Sequence, residues 1–397
     1  MPKKVTKVKW SASELPWGVS FNEATGTFSG IPEDFGEYIV PVTVQTNYGK
    51  DSKNVLMNVK NPYWVKRLYP KMGGTHTKAY GGSKLFYADK FSYLDGSPGV
   101  IFPVVINSSL RVGLIDSVEG DYFHWNMSGG YSYTTTYTYF FRDYCYCKAA
   151  SVFVLKDSSD AAYPKTIVYK NPWLSGLSYI QNSSVYGKWM AADYSPELGY
   201  GLFVSSQHEV VKLTQSGVNY SINGSIYSPD VGTVYEACLR WSGEKGIFCL
   251  TGSKGTASSP DGETWELNTE NAPEDLIELF WNADTGKFMA ISKSERIIYA
   301  SEDGLMWEKA HTTPVPELGG AVIKRMAYSE KLKKYCVAPN YGTSVYFSTD
   351  LETWTASKVS AEKLDLICDV IYAPSLNNWI LVGTNSLSLS YFYTLEE

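Results

Sequence analysis

Three short runs carry residue types from which acid–base or sugar-binding chemistry can be built. They are Ser259-Pro-Asp261-Gly262-Glu-Thr-Trp265, Ser301-Glu-Asp303-Gly304-Leu-Met-Trp307 and Ser348-Thr-Asp350-Leu351-Glu-Thr-Trp354. Each places a hydroxyl, a carboxylate and an indole close together along the chain. A carboxylate beside a sugar can act as acid, base or nucleophile, and an indole face stacks on a sugar ring. The same groups also build a turn. Asp and Ser side chains accept backbone N–H bonds, Gly supplies positive φ without strain, and Trp folds back onto a sheet. Turn formation uses every one of them, so the runs are expected to be structural locks. Leu351 stands where the other two runs have Gly, so the third turn must differ or carry strain. The aspartates recur at intervals of 42 and 47 residues, a period typical of propeller blades.

Other chemistry is sparse. His76, His124, His208 and His311 lie in no triad context and are expected at the surface or in turns. Cys145, Cys147, Cys238, Cys249, Cys336 and Cys368 lack zinc-site spacing and are expected to be buried reduced thiols. No metal site and no cofactor is expected: there is no phosphate loop, Gly-x-Ser-x-Gly elbow or His-Glu-x-x-His run. The six arginines are Arg67, Arg111, Arg142, Arg240, Arg296 and Arg325, and three of them could meet in space as a carboxylate clamp. The segment 121–147 is the densest in aromatic residues. Tyr122, Trp125, Tyr131, Tyr133, Tyr137 and Tyr139 form a candidate binding surface there. Its period-two Tyr/Thr pattern fits a strand or hairpin. Three readings stay open for it: ordinary blade strands, a protein interface and a glycan platform.

These groups need a frame, and composition says which kind. The chain has 397 residues, 44% hydrophobic and 15% aromatic, with 31 Tyr and 12 Trp, a loading that suits β-structure. The net charge of −6 argues against nucleic-acid binding, which needs a basic face. No apolar run is long enough to span a membrane, so no membrane insertion is expected. Residues 1–10 are charged without an apolar core, so no secretory leader is expected, although one could have been removed.

The first 61 residues read as one domain. Leu15-Pro-Trp-Gly18-Val-Ser20-Phe21 leads to Thr25-Gly26-Thr-Phe-Ser29-Gly30-Ile-Pro32, then to Gly36-Glu-Tyr38 and a Val/Thr strand. Thr25-Gly26 reads as a turn, and Tyr38, Val40, Val42 and Val44 share one strand face. This run resembles the immunoglobulin-like domains of bacterial surface and phage proteins, departing from their pattern at Trp17 and Val19. The resemblance implies a spacer or adhesion module. Residues 62–397 read as a β-propeller: at ~45 residues per repeat they give about seven blades, with six to eight open. The repeats can be phased from about residue 200 onward. There Thr214-Gln-Ser216-Gly217 looks like a decayed copy of the turn run, and Leu389-Ser-Tyr-Phe-Tyr393 ends without one.

The Ser-x-Asp runs resemble the Asp-box, or bacterial neuraminidase repeat, which implies a propeller without implying a sialidase. The Arg-Ile-Pro segment that usually opens sialidase propellers is missing. The fold class is thus all-β, a small immunoglobulin-like sandwich followed by a propeller. The combination looks like a bacteriophage virion component, in the tail or attached to the head. The resemblance implies a non-enzymatic structural or host-attachment protein, multicopy in a particle assembled in the host cytoplasm. Its partners would be other virion proteins or a host cell-surface polysaccharide. A sialidase-like glycoside hydrolase and an extracellular bacterial surface adhesin are the alternatives.

Overall fold

The structure is a computed structural model. It describes residues 7–16, 18–30, 36–59, 64–67, 85–88, 99–106, 109–119, 122–127, 131–132, 139–147, 150–157, 165–169, 178–181, 189–216, 219–227, 229–316, 320–361, 363–384 and 390–396. The chain forms two compact units, Met1–Trp64 with Leu395–Glu397, and Val65–Thr394.

The first unit is an immunoglobulin-like sandwich. A three-stranded antiparallel sheet runs in the order Val8–Ala12, Gly36–Thr46, Gly49–Val59, and a hairpin pairs Val19–Asn22 with Thr27–Gly30. The hairpin turns at Gly26, whose φ is +71° and where a Cβ would meet the Trp10 ring at 2.9 Å. Only glycine satisfies both demands. In the long strand Tyr38, Val40, Val42 and Val44 are covered more than Ile39 and Gln45, as the alternation requires.

The second unit contains seven antiparallel sheets among the described residues, numbered here as blades 1–7 in chain order. Their first strands are Phe86–Ala88, Tyr139–Cys147, Trp189–Ser195, Val234–Ser242, Leu276–Asn282, Ile323–Ser329 and Leu366–Ala373. From blade 2 to blade 7 each first strand lies beside the next, and that of blade 7 lies beside that of blade 1. They therefore line a central channel. In blades 2–6 the sheet order follows the sequence. Blade 7 does not: its outermost strand is Val65–Arg67, paired with Ser390–Glu396 through Phe392↔Arg67 and Thr394↔Val65. The start and end of the unit are thereby hydrogen-bonded to each other, and the last blade takes its fourth strand from the start of the unit.

Second strands such as Lys287–Ser292 and Lys334–Pro339 are buried along nearly their whole length. Both faces meet a neighbouring blade, which is why they read as continuous apolar runs. A cross-strand aromatic pair links first and second strands in blades 4–7. The pairs are Trp241–Phe248, Trp281–Phe288, Tyr328–Tyr335 and Tyr372–Trp379, with ring centroids 4.6, 4.9, 4.5 and 5.2 Å apart. Each pair is directly opposite in register, where such contacts stabilise a sheet best.

Candidate functional site

The three Ser-x-Asp runs form one and the same corner, between the third and fourth strands of blades 4, 5 and 6. In blade 4 the Asp261 Oδ1 accepts the N–H groups of Glu263 and Thr264 at 2.8 and 2.7 Å, Ser259 Oγ accepts that of Gly262 at 2.7 Å, and the Trp265 indole N–H donates to Gly262 O at 3.0 Å. Asp303, Ser301 and Trp307 repeat this in blade 5, and Asp350, Ser348 and Trp354 in blade 6. Burial alone would raise the Asp261 and Asp303 pKa values. The N–H and Ser hydroxyl donors outweigh it and hold both carboxyls below their ordinary range. Asp350 is lowered chiefly by the N–H of Thr353.

Each corner packs against the preceding blade. A Cβ on Gly262 would fall 2.4 Å from Leu202 of blade 3, and one on Gly304 2.9 Å from Cys249 of blade 4. Trp265, Trp307 and Trp354 each pack on a core cluster shared by their own blade and the one before. Their surroundings are thus alike. In blade 3 the equivalent corner is different: Ser216 pairs with Asn219 across a tight hairpin.

Leu351 makes the same turn as its glycine counterparts, at φ +65°, so the third corner carries strain. Positive φ costs a non-glycine residue roughly 1–3 kcal/mol. The Leu351 side chain is 8% exposed within the blade 5–6 core, and losing a buried Leu costs about 2–5 kcal/mol. Packing outweighs strain. Leu351→Gly should therefore destabilise the protein by about 1–3 kcal/mol, measured by urea unfolding. A rise in stability would mean that the leucine contributes no packing.

His311 departs from the expected surface or turn position. It is 3% exposed. Its Nε2 accepts the Ile298 N–H at 2.8 Å, so Nδ1 carries the proton and donates to Thr313 O at 2.7 Å. The ring is held neutral, and burial lowers its pKa below the ordinary 6.5. With the folded value depressed, the unfolded chain takes up the proton first as pH drops past about 6.5. Stability should therefore fall between pH 7 and 5, by at most about 2 kcal/mol from this group. His311→Gln should flatten that slope in denaturant titrations run across the same pH range. An unchanged slope would assign the effect elsewhere.

The aromatic segment does not form one surface within a single strand pair. Tyr122 and Trp125 lie in Tyr122–Met127, the outer strand of blade 1, and Tyr131 lies in a short strand that pairs with Ser109–Glu119 of the same blade. Tyr139 opens the channel-lining strand of blade 2. Chain direction carries the run from the rim of one blade to the centre of the next. Tyr133 and Tyr137 lie outside the described residues.

A buried cluster of charge lies in the channel, where the sequence offers no run of matching residues. First strands are bulged at Trp189/Ala191, Val234/Leu239, Ile277/Phe280, Ile323/Arg325 and Ile367/Asp369. Bulges re-aim side chains, and here they accompany a cluster around Arg325. Its Nη1 donates to Glu278 Oε1 and its Nη2 to Glu236 Oε2, both at 3.0 Å, and its Nε donates to Cys368 O at 2.8 Å and lies 3.4 Å from Asp369 Oδ1. Glu278, at φ +55°, is held in a left-handed backbone conformation. Asp369 Oδ2 also accepts the Leu85 N–H at 2.6 Å, tying blade 7 to blade 1. Side-chain exposure is 3% for Arg325, 6% for Glu278, 5% for Asp369 and 23% for Glu236. Burial works against the Arg325 charge, and the surrounding carboxylates more than restore it, keeping the guanidinium protonated.

This cluster separates two cavities. One of about 220 Å³ is bordered by Arg240, Glu278, Tyr328 and Asp369. The other, about 350 Å³, lies at the channel mouth, where the first strands of blades 3 to 7 begin. Tyr235, Glu236, Lys293, Lys324 and Asn340 line it together with Ile277 and Ile323. The Tyr235 hydroxyl donates to Asp275 Oδ1 at 2.5 Å. Of the arginines, Arg325 and Arg240 thus border adjoining cavities, while Arg296 occupies a turn at φ +60°. Among the described residues no group of three His, Cys, Asp or Glu side chains could hold a metal ion. Cys238, Cys249, Cys336 and Cys368 are buried free thiols.

Residues 2–60 match the family described as "Putative Ig domain". No curated protein matches the chain. Among solved structures, a catalytically inactive virginiamycin B lyase from Staphylococcus aureus with quinupristin is similar at a TM-score of 0.57 and 7% identity, covering 84% of this chain and 99% of that one. The WD40 β-propeller domain of Doa1 is similar at 0.53 and 13%, covering 84% and 98%. A streptogramin B lyase is similar at 0.53 and 10%, covering 78% and 96%. At these identities the likeness is one of fold: the second unit is a β-propeller.

Proposed function

We propose that this chain is a non-enzymatic structural or host-attachment protein of a bacteriophage particle. In this reading the immunoglobulin-like unit is an anchor or spacer, and the propeller meets a cell-surface polysaccharide or another virion subunit. The carrying observation is where the chemically capable groups are used. Glu236, Glu278 and Asp369 all face the Arg325 guanidinium, and the Asp-box-like aspartates are occupied by their own turn N–H groups. Each carboxylate holds the fold together where a glycosidase would need a freely titrating pair. The join of an immunoglobulin-like module to a propeller supports the attachment role, in which copy number on a particle multiplies weak contacts.

The test incubates labelled full-length protein with intact bacterial cells and with a polysaccharide panel, and assays released reducing ends in parallel. Saturable binding without release is the expected outcome. Release of reducing ends that disappears in Glu278→Gln would replace this reading with a glycosidase. Antibody labelling of intact particles then separates virion from bacterial-surface origin.

A further inference from the structure

The cavity at the channel mouth has donors that the fold uses only in part. The Lys324 side chain keeps 35% of its exposure and forms a long ion pair with Glu236 Oε2 at 3.6 Å, beyond direct hydrogen-bond distance. That same oxygen already accepts from Arg325. Burial, then the neighbouring Arg325 charge, pull the Lys324 pKa down. Lys293 lies on the same cavity, with its ammonium 5.9 Å from the Tyr235 ring centroid and in no ion pair among the described residues. The Asn340 side-chain oxygen accepts the Val322 N–H at 3.1 Å, which turns its amide nitrogen into a further donor on this wall. The cavity's own acceptors, Glu236 and Glu278, are both held by Arg325. Two ammonium groups and an amide thus border a space whose acids are already engaged, and whose remaining wall, with Ile277 and Ile323, is apolar.

We infer that this cavity binds a small ligand bearing one carboxylate, its anion placed between Lys293, Lys324 and Asn340. Arg325 and Lys324 have carboxylate partners, and Lys293 has none among the described residues, which suits a monoanion better than a phosphate dianion. About 350 Å³ is at the small end of ligand sites and accommodates one sugar-sized unit. Under the attachment reading, on which this identification of the source rests, the ligand is a carboxylated sugar of a surface polysaccharide. An anion beside Lys324 favours the ammonium that burial disfavours.

The probes are sodium glucuronate and glucose, titrated into the full-length protein by calorimetry. Glucuronate should bind with a Kd of roughly millimolar order and at least about ten-fold more tightly than glucose. The Lys293→Met/Lys324→Met double variant should lose about ten-fold or more of that affinity while keeping the wild-type melting temperature. Asn340→Ala alone should lose less. Equal binding of the two sugars, or full affinity in the double variant, would overturn the inference, as would the absence of any glucuronate binding. Cell attachment by the double variant keeps the two questions separate. If glucuronate fails while cells still bind, the attachment reading stands and the cavity is not its site. If glucuronate binds while cells do not, the cavity ligand comes from another source.

Discussion

Replacing Arg325 by methionine is expected to lower the unfolding free energy of the propeller by about 3–5 kcal/mol. The reason is the state in which it leaves its neighbours. Glu278 and Asp369 keep only 6% and 5% of their side-chain exposure, so both would remain buried without the guanidinium that offsets their desolvation. A buried ion pair adds little net stability over a well-packed apolar replacement, yet removal of one partner is costly. A companion variant tests that asymmetry: Arg325→Met combined with Glu278→Leu and Asp369→Leu should recover at least half of the loss. Urea unfolding followed by tryptophan fluorescence reads both. A single variant within about 1 kcal/mol of the wild type would mean that water reaches the carboxylates and that the cluster does not hold blades 4–7 together.

Trp379→Ala is expected to cost about 3–5 kcal/mol. Trp379 is completely buried and among the largest fully enclosed side chains. Its ring lies 5.2 Å from Tyr372 in its own blade and 5.1 Å from Phe347 in blade 6. The cavity would open in the blade that Val65–Arg67 completes from the other end of the unit, so ring closure weakens with it. Trp307→Ala, at a partly exposed corner, should cost less because less area leaves contact. If Trp307→Ala proved the more damaging of the two, corner locking would outrank inter-blade packing as the source of stability.

The parts that could be read from the chain are those whose physics is local. Gly26 with its neighbouring strands, and the Ser-x-Asp corners, are each set by residues a few positions apart, and the structure places them as turns. Leu351 was legible as an exception because positive φ is a property of one residue. His311 was not: its burial depends on the Ile298 N–H thirteen residues away and on the neighbouring blade. Nor did the Tyr-rich run disclose that it divides between two blades, because alternation identifies a strand without naming its partner.

The channel cluster shows the same limit at longer range. Glu236, Glu278, Arg325 and Asp369 recur near the blade period, one on the first strand of each of blades 4–7, but the series runs through three residue types and both signs of charge. A repeat search sees identity, whereas the cluster depends on complementarity among unlike charges. The sequence alone determined an all-β chain with an immunoglobulin-like start and a repeated, turn-locked array, because turns and strand alternation are encoded within a few residues. Tertiary structure decided which strand completes the seventh blade, which charges meet in the channel and which ammonium groups border the cavity. Those outcomes depend on bringing together residues separated by about 30 to 330 positions in the chain, on the order of one to seven repeats, and only closure of the ring does that.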